Sequence, residues 1–478
     1  MDGTLDLVVI GTGPGGYRAG VLAALRGLEV AVVEAGDWGG CCLNRGCVPK
    51  KAWHHTARLL AAQAGFAARG IRGRLEPDLA AAWDHQERVV AAVQDSYVDY
   101  MQRLGIRAIR GRARLEGPGR VAVQTGDGRE TLATRHVIVA TGARPHIPPP
   151  FAPVPGRVLT TDMLFDAPPP PGRRVAVVGS GVVATEFAFI LRMLGLEVAW
   201  LARSRPLHRT RFSPQALGAL ARALERHGVA ARVGAVVERV EAGEAGVRLR
   251  LADGAEETVD WVLLGTGRVP VTEGLGLEAA GIETDARGFI RTDTRCRTGA
   301  PGVYAIGDCA SPAMTANHAL AGATTAVGDI LAGGADGPAL DAGRVPFVVY
   351  SALELARFGL DDEAAEDAGH EPAVGFAAFE SNPRALGQDE ADGFVRVLAD
   401  MDTGSLLGAE IVGAEAGELV HALTLAPDPA RALGWVAGGL YNHPARAEEL
   451  LNAVETLAAR WGIDVRQWQA AGDGARSA

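Results

Sequence analysis

Residues 39–51 read GGCCLNRGCVPKK and hold three of the chain's five cysteines. They also hold both of its lysines, Lys50 and Lys51; of 47 basic residues, the other 45 (47 − 2) are arginine. A chain so biased against lysine that keeps two beside a cysteine pair needs an ammonium there, a compact charge of tunable pKa that arginine's planar fork does not supply. The spacing of Cys42 and Cys47 is equally pointed. On a regular helix, residues five apart have Cα atoms roughly 8.6 Å apart, whereas a disulfide needs about 4.4–6.8 Å. If the two pair, the helix must be distorted there or begin between them, and Asn44 and Gly46 are residues that allow it. A small structural pair and a redox-active dithiol both fit. The dithiol is favoured for a cytosolic chain, where structural disulfides are rare. Cys41 adjoins the pair and is read as a small packing residue. Cys296 and Cys309 are isolated and show no metal-ligand spacing, so no metal site is expected.

Two segments could position such chemistry. The first, LDLVVIGTGPGGYRAGVLAALRGLEVAVVE, reads as strand, glycine turn, helix and strand. Gly11, Gly13 and Gly16 fit G-x-G-x-x-G, a turn that lets backbone amides approach a pyrophosphate at a helix N-terminus. Glu34 ends the second strand, where a carboxylate can bind a ribose hydroxyl. The same pattern returns in RRVAVVGSGVVATEFAFILRMLGLEVAWLARSR, with Gly179, Gly181 and Ala184 at the turn. No acid closes its second strand; Ala202 is followed by Arg203, with Arg209 further on. An acid there suits the free ribose of NAD and arginine the 2′-phosphate of NADP, so NADP(H) is favoured over NAD(H). Two surface arginines in an arginine-rich chain are the plainer alternative.

At 478 residues and a formal net charge of −10, the chain is long enough for two to four domains and is ill suited to nucleic acid or anionic membranes. A first strand starting at Leu5 leaves no room for a signal peptide, and no apolar run is long enough to span a membrane. The expectation is a soluble, cytoplasmic protein.

Two dinucleotide folds flanking a C-x4-C pair resemble the FAD-dependent pyridine nucleotide–disulfide oxidoreductases, which include dihydrolipoyl dehydrogenase, glutathione reductase and mercuric reductase. The resemblance runs from Asp6 to about Trp461. It is carried by GGCCLNRGCVPKK, VATGARP at 139–145, GTGRVP at 265–270, YAIGDCA at 304–310 and HPARAEELL at 443–451, together with the interface segments 345–360 and 393–413. It implies FAD held through Gly11, Gly13, Pro14, Gly15, Gly16, Glu34, Gly40, Cys41, Thr141, Gly142, Gly307 and Asp308. The nicotinamide coenzyme would lie at Gly179, Gly181, Val182 and Gly267. Cys47 would face the flavin as the charge-transfer thiol, and Cys42 would exchange with substrate. Lys51 would stand by the reactive flavin nitrogen, paired with Glu186. His443 and Glu448 from the second subunit of a homodimer would form the acid–base pair. Lys50 receives no role.

The implied fold class is α/β, with two Rossmann-like domains and a C-terminal α+β dimerisation domain. An FAD domain is expected at 1–150 and 271–342, a nucleotide domain at 151–270, an interface domain at 343–470 and a disordered tail at 471–478. Val182 replaces the tyrosine that covers the flavin in glutathione reductases, Leu353 replaces an interface proline, and Asn317 stands where dihydrolipoyl dehydrogenases often carry histidine. Mercuric reductases lack the His-Pro, and soluble transhydrogenases lack the cysteines, so both are disfavoured. Val21 stands where glutathione reductases hold a substrate carboxylate with arginine, which points to a lipoyl disulfide, free or protein-bound. An NADPH-dependent reductase of a low-molecular-weight disulfide and a non-catalytic complex subunit are the alternatives.

Overall fold

The computed structural model describes residues 4–334, 337–426 and 428–462, so the expected tail at 471–478 lies outside the described residues. The chain divides into two compact units.

The first unit takes the described residues up to Thr56 with Asp78–Val178 and Val236–Ala342. Its centre is a parallel sheet. Strand β1 (Leu5–Ile10) lies between β2 (Val30–Glu34) and the strand Gly128–Val139, and Val303–Ala305 extends the same sheet beyond. Both β1 and β2 are almost wholly apolar because both faces are buried. Leu7, Val9, Val30 and Val32 pack with Ala19 and Ala23 of the helix between the two strands, and Val8, Ile10, Ala31 and Val33 pack with Leu115, Val121, Val123 and Leu132 of neighbouring strands. Helix α1 (Pro14–Leu25) turns Gly15, Gly16, Ala19, Gly20 and Ala23 inward. These small side chains let its backbone approach the sheet. The approach is tightest at the first turn: a Cβ on Gly16 would lie 1.9 Å from the carbonyl oxygen of Gly11, and Gly11 itself has φ +98°. A second parallel set, Val158–Thr160, Arg174–Val178 and Trp261–Leu264, belongs to the same unit.

A buried ionic knot ties the helix Ala316–Leu331 to the sheet. Asp329, with no exposed surface, accepts from Arg297 Nε at 2.7 Å, Arg297 Nη2 at 2.6 Å and Tyr304 Oη at 2.9 Å.

The second unit takes Ala57–Pro77, Gly179–Ala235 and the chain from Gly343 onward. It contains the second glycine turn, the helix Val182–Met193 and the strand Glu197–Ala202. It also holds a five-stranded antiparallel sheet, in the order 347–350, 354–359, 406–412, 394–400, 372–378. The helix Glu448–Trp461 packs on this sheet through Leu450, Val454 and Leu457 against Val395, Val397 and Ile411. Gly375 admits it: a Cβ there would sit 2.2 Å from the carbonyl oxygen of Ala453. Among the described residues, no helix is long and apolar enough to cross a membrane.

Hydrogen bonding from Arg297 holds the Asp329 carboxyl below its ordinary pKa. A depressed carboxylate contributes stability that is present above the unfolded pKa and lost as pH falls through the folded one. Asp329→Asn should therefore lower the midpoint of thermal unfolding by several degrees at pH 7. The gap to the parent should narrow as pH drops below the usual carboxylate range, as calorimetry across pH would show.

Candidate active site

The cysteine segment is two helices. Helix α2 (Gly40–Asn44) stops at Arg45, and helix α3 (Cys47–Ala62) starts at the second cysteine. The break brings the Cα atoms of Cys42 and Cys47 to 4.7 Å, and a disulfide joins them. Gly46 permits this by its size. A Cβ there would lie 3.2 Å from the Cys41 carbonyl oxygen and 3.3 Å from Cys42 Cα. Asn44 does more than permit a turn. Its Nδ2 donates to the carbonyls of Trp38 at 3.0 Å and Gly40 at 2.8 Å, and its Oδ1 accepts from Gln94 at 3.2 Å.

Cys47 opens α3, where free backbone amides and the helix dipole favour a thiolate. Lys51 follows by four residues, which places it on the same face of α3, one turn on. Lys50 lies beside it on α3.

The remaining thiols of the first unit are poor nucleophiles. Burial pushes Cys41 up to about 11 and Cys296 up to about 12, and raises the fully buried Cys309. Cys41 is not simply filler, however. Arg268 reaches its Sγ at 3.4 Å, the Asp162 carboxylate at 3.3 Å and the Ala143 carbonyl at 2.5 Å. Asp308 belongs to this group electrostatically: burial raises its pKa and Arg268 opposes the rise.

A cradle faces these residues. Helix α1 opens at Gly13 with no side-chain cap, Pro14 occupies its start, and a Cβ on Gly13 would meet nothing within 4 Å. Uncapped amides over open space suit a pyrophosphate. Gly40 (φ +62°) comes so close that its Cβ would lie 2.9 Å from Gly13 Cα. Glu34 is already oriented, accepting from Thr12 N at 2.8 Å, Thr12 Oγ1 at 2.6 Å and Gly36 N at 2.8 Å. Thr141 donates to the Val271 carbonyl at 2.6 Å. Gly142, Gly267 and Gly307 all have positive φ, and a Cβ on Gly307 or Gly15 would crowd Ala319.

In the second unit, Gly179 has φ +137° and Gly181 caps the helix that Val182 begins, again with no side-chain cap. Trp200 Nε1 donates to the Gly179 carbonyl at 2.9 Å and so locks the turn to the strand. Arg203 and Arg209 are exposed just past that strand. Between them, Ser204 meets Ser180 Oγ at 2.9 Å and His208 Nδ1 at 3.2 Å. Glu186 is buried on the helix and accepts from the Tyr350 amide at 2.8 Å. A cavity of about 510 Å³ in this unit, lined by Leu60, Arg74, Leu75, Arg192 and His227 among others, holds none of the expected site residues.

His443 and Glu448 meet as a pair. Nδ1 of His443 lies 2.9 Å from Glu448 Oε1, and Glu448 Oε2 accepts from the Ala445 amide at 2.7 Å. That backbone bond, then His443, lowers the Glu448 pKa. The imidazole is 74% exposed, so Nε2 is free to face another surface.

Val21 overturns one expectation. It is 4% exposed, in a core with Val30, Val32 and Met101, because its position on α1 points at the sheet. It therefore offers no exposed apolar wall to a lipoyl chain.

Residues 5–323 match the family described as pyridine nucleotide-disulphide oxidoreductase, and residues 345–454 match its dimerisation domain. The chain belongs to this family, in its FAD-dependent class I, as an enzyme of the disulfide oxidoreductase type. Within it the chain is similar to dihydrolipoyl dehydrogenases. It is 36% identical to dihydrolipoyl dehydrogenase 3 of Pseudomonas aeruginosa over 467 residues, covering 94% of this chain and 97% of that one. It is also 36% identical to the dihydrolipoyl dehydrogenase of Thermus scotoductus over 460 residues, covering 95% and 97%. Among solved structures, LpdA from Mycobacterium tuberculosis superposes with a TM-score of 0.87 at 26% identity, over 95% of this chain and all of that one.

Sequence reasoning passed over Arg45, Asp162 and Asp166. Arg45 stood inside the cysteine motif and was open to inspection; the two aspartates are 121 residues from their partners Cys41 and Arg45, with no local pattern to flag them. If the glycine turn is the FAD cradle, Gly16→Ala must push its Cβ into Gly11. The purified variant should then carry less than a tenth of the parent's flavin, read from visible absorbance per protein.

Proposed function

We propose that the protein passes two electrons between a dihydrolipoyl dithiol and NADP(H), as a homodimer. The observation that carries the proposal is the Cys42–Cys47 disulfide across the α2–α3 break, in a chain similar to dihydrolipoyl dehydrogenases over nearly its whole length.

The chemistry then runs as thiol–disulfide exchange. A substrate thiolate attacks Cys42 Sγ, the Cys42–Cys47 bond breaks, and Cys47 leaves as a thiolate favoured by the start of α3. The second substrate thiol, giving its proton to Nε2 of the partner subunit's His443, attacks the mixed disulfide and expels Cys42. Substrate is released as a cyclic disulfide, and the electron pair now resides on Cys42 and Cys47. FAD, which the α1 cradle at Gly11, Gly13, Gly16 and Glu34 would hold, would supply the two-electron relay between this dithiol and the nicotinamide. Glu448 holds Nδ1, fixing the His443 tautomer with Nε2 free. Lys51, on the Cys47 face of α3, would supply the cation beside the flavin, and we assign Glu186 as its carboxylate partner.

Arg203, Arg209 and the missing acid after Glu197–Ala202 support the NADP(H) preference. They equally favour a second reading, an NADPH-dependent reductase of a low-molecular-weight disulfide. The relatives named dihydrolipoyl dehydrogenase favour the lipoyl substrate, although enzymes of that name typically use NAD.

Steady-state rates with lipoamide, a lipoylated protein and glutathione disulfide, each with both coenzymes, separate the two. The lipoyl proposal expects the highest kcat/KM with lipoyl compounds; a higher value for glutathione disulfide overturns it. Reversing Arg203 and Arg209 to Glu should weaken NADPH far more than NADH, by about 1.5–3 kcal/mol per lost charge-assisted contact. Equal losses with both coenzymes would make the arginines structural. Subunit exchange between Cys42→Ser and His443→Ala homodimers should restore about a quarter to half of activity; no recovery after proven exchange would place His443 outside the partner's site.

A further inference from the structure

The two cysteines are separated by Leu43, Asn44, Arg45 and Gly46. Leu43 is 3% exposed and Asn44 is held by the three hydrogen bonds described above, so the α2 side of this short loop is fixed. Gly46, on the other side, has no side chain with which to anchor anything. Arg45 sits between them and bridges outward. Its Nε donates to Asp166 Oδ1 at 2.5 Å, its Nη2 donates to Asp37 Oδ2 at 2.8 Å, and its amide donates to the Cys41 carbonyl at 2.7 Å. Asp37 lies in the turn after β2, and Asp166 follows the short helix Thr161–Leu164, both in the first unit. One guanidinium therefore ties the cysteine loop to two separate segments.

We infer that Arg45 is a positioning residue for the redox couple, clamping the loop so that the reduced Cys42 and Cys47 thiols stay within reach of each other and the disulfide is favoured. Reduction breaks the Sγ–Sγ bond, and each sulfur gains one electron and one proton. The loop then gains conformational freedom, which stabilises the dithiol. A clamp withholds that freedom, keeps the effective concentration of one thiol at the other high, and shifts the equilibrium towards the disulfide. The ion pairs are partly exposed, with side chains 29% accessible at Arg45, 40% at Asp37 and 49% at Asp166. Their direct worth in water is thus modest; their effect lies in the geometry they impose. Asp37 and Asp166 face the Arg45 guanidinium and Arg110 Nη2 lies 3.7 Å from Asp37, so the two carboxylates balance the two guanidiniums and Arg45 is not a cation reserved for the thiolate.

The sign of the effect tests this. The FAD-loaded enzyme is equilibrated anaerobically with mixtures of reduced and oxidised dithiothreitol, so that enzyme disulfide plus reduced dithiothreitol gives enzyme dithiol plus oxidised dithiothreitol. Cys42 and Cys47 thiols are then counted by alkylation and mass spectrometry. Arg45→Val should move the equilibrium towards the dithiol by about tenfold, which is about 30 mV for a two-electron couple. Arg45→Lys should recover part of the shift, and Asp166→Asn, which removes one arm, should move it by about threefold. If Arg45 acted by charge, its loss beside two aspartates would disfavour the thiolate and drive the equilibrium towards the disulfide. That result, or no change beyond twofold, overturns the proposal. Flavin content and unfolding temperature are read alongside; should Arg45→Val fail to fold, an unshifted equilibrium in Asp166→Asn overturns it equally.

Discussion

A disulfide cannot bridge residues five apart on a continuous α-helix, and the redox site is organised around the break that this forces. The chain ends one helix at Asn44 and starts another at Cys47. The consequence reaches further than the bond itself. Starting α3 at Cys47 gives that sulfur the unpaired amides of a first turn, and sets Lys51 on the same face one turn later. The segment that makes the break needs support, because a short loop ending in glycine has little rigidity of its own. Asn44 bonds to Trp38, Gly40 and Gln94, and Arg45 to Asp37 and Asp166.

The nucleotide cradles depend on a second constraint, the absence of side-chain atoms. At Gly11 and Gly16 one added carbon would collide with backbone, and at Gly13 the space ahead is open. A strand, a turn and a helix can converge there only if the turn has no bulk, and the uncapped amides left at the helix start are what a pyrophosphate needs. The second turn repeats the design with a different lock, the indole of Trp200 on the Gly179 carbonyl. Beyond it the polar surroundings differ. Thr12 and Gly36 hold Glu34 at the first strand end, whereas the second strand end has arginines with Ser204 and His208 between them.

His443 is assembled yet outward-facing. Glu448 is itself fixed by the Ala445 amide and sits where a helix begins, so the imidazole has a defined partner on one nitrogen and exposure on the other. An imidazole in that state can serve as the proposed acid–base group only if another surface comes to it, which is why the proposed homodimer and the proposed chemistry stand or fall together.

The cysteine spacing, the two glycine turns, the missing acid after Ala202 and the His-Pro segment were all legible in the sequence, because each is a local pattern imposed by backbone geometry or by the chemistry of one short segment. Once the two cysteines are taken to pair, the expectation of a helix broken or begun between Cys42 and Cys47 follows from helix geometry. Val21 was misjudged because one position on a helix gives no sign of which way it faces until the sheet beneath it is known. Arg45 with Asp37 and Asp166, Arg268 with Cys41 and Asp162, and Arg297 with Asp329 were beyond reach for a different reason. Most of these partners lie tens of residues or more apart, and an ion pair between distant charges leaves no periodicity or spacing in the chain. The sequence by itself therefore determined which groups could do the chemistry. Only the tertiary structure decided which side chains hold those groups in place, since that depends on packing brought together across the fold.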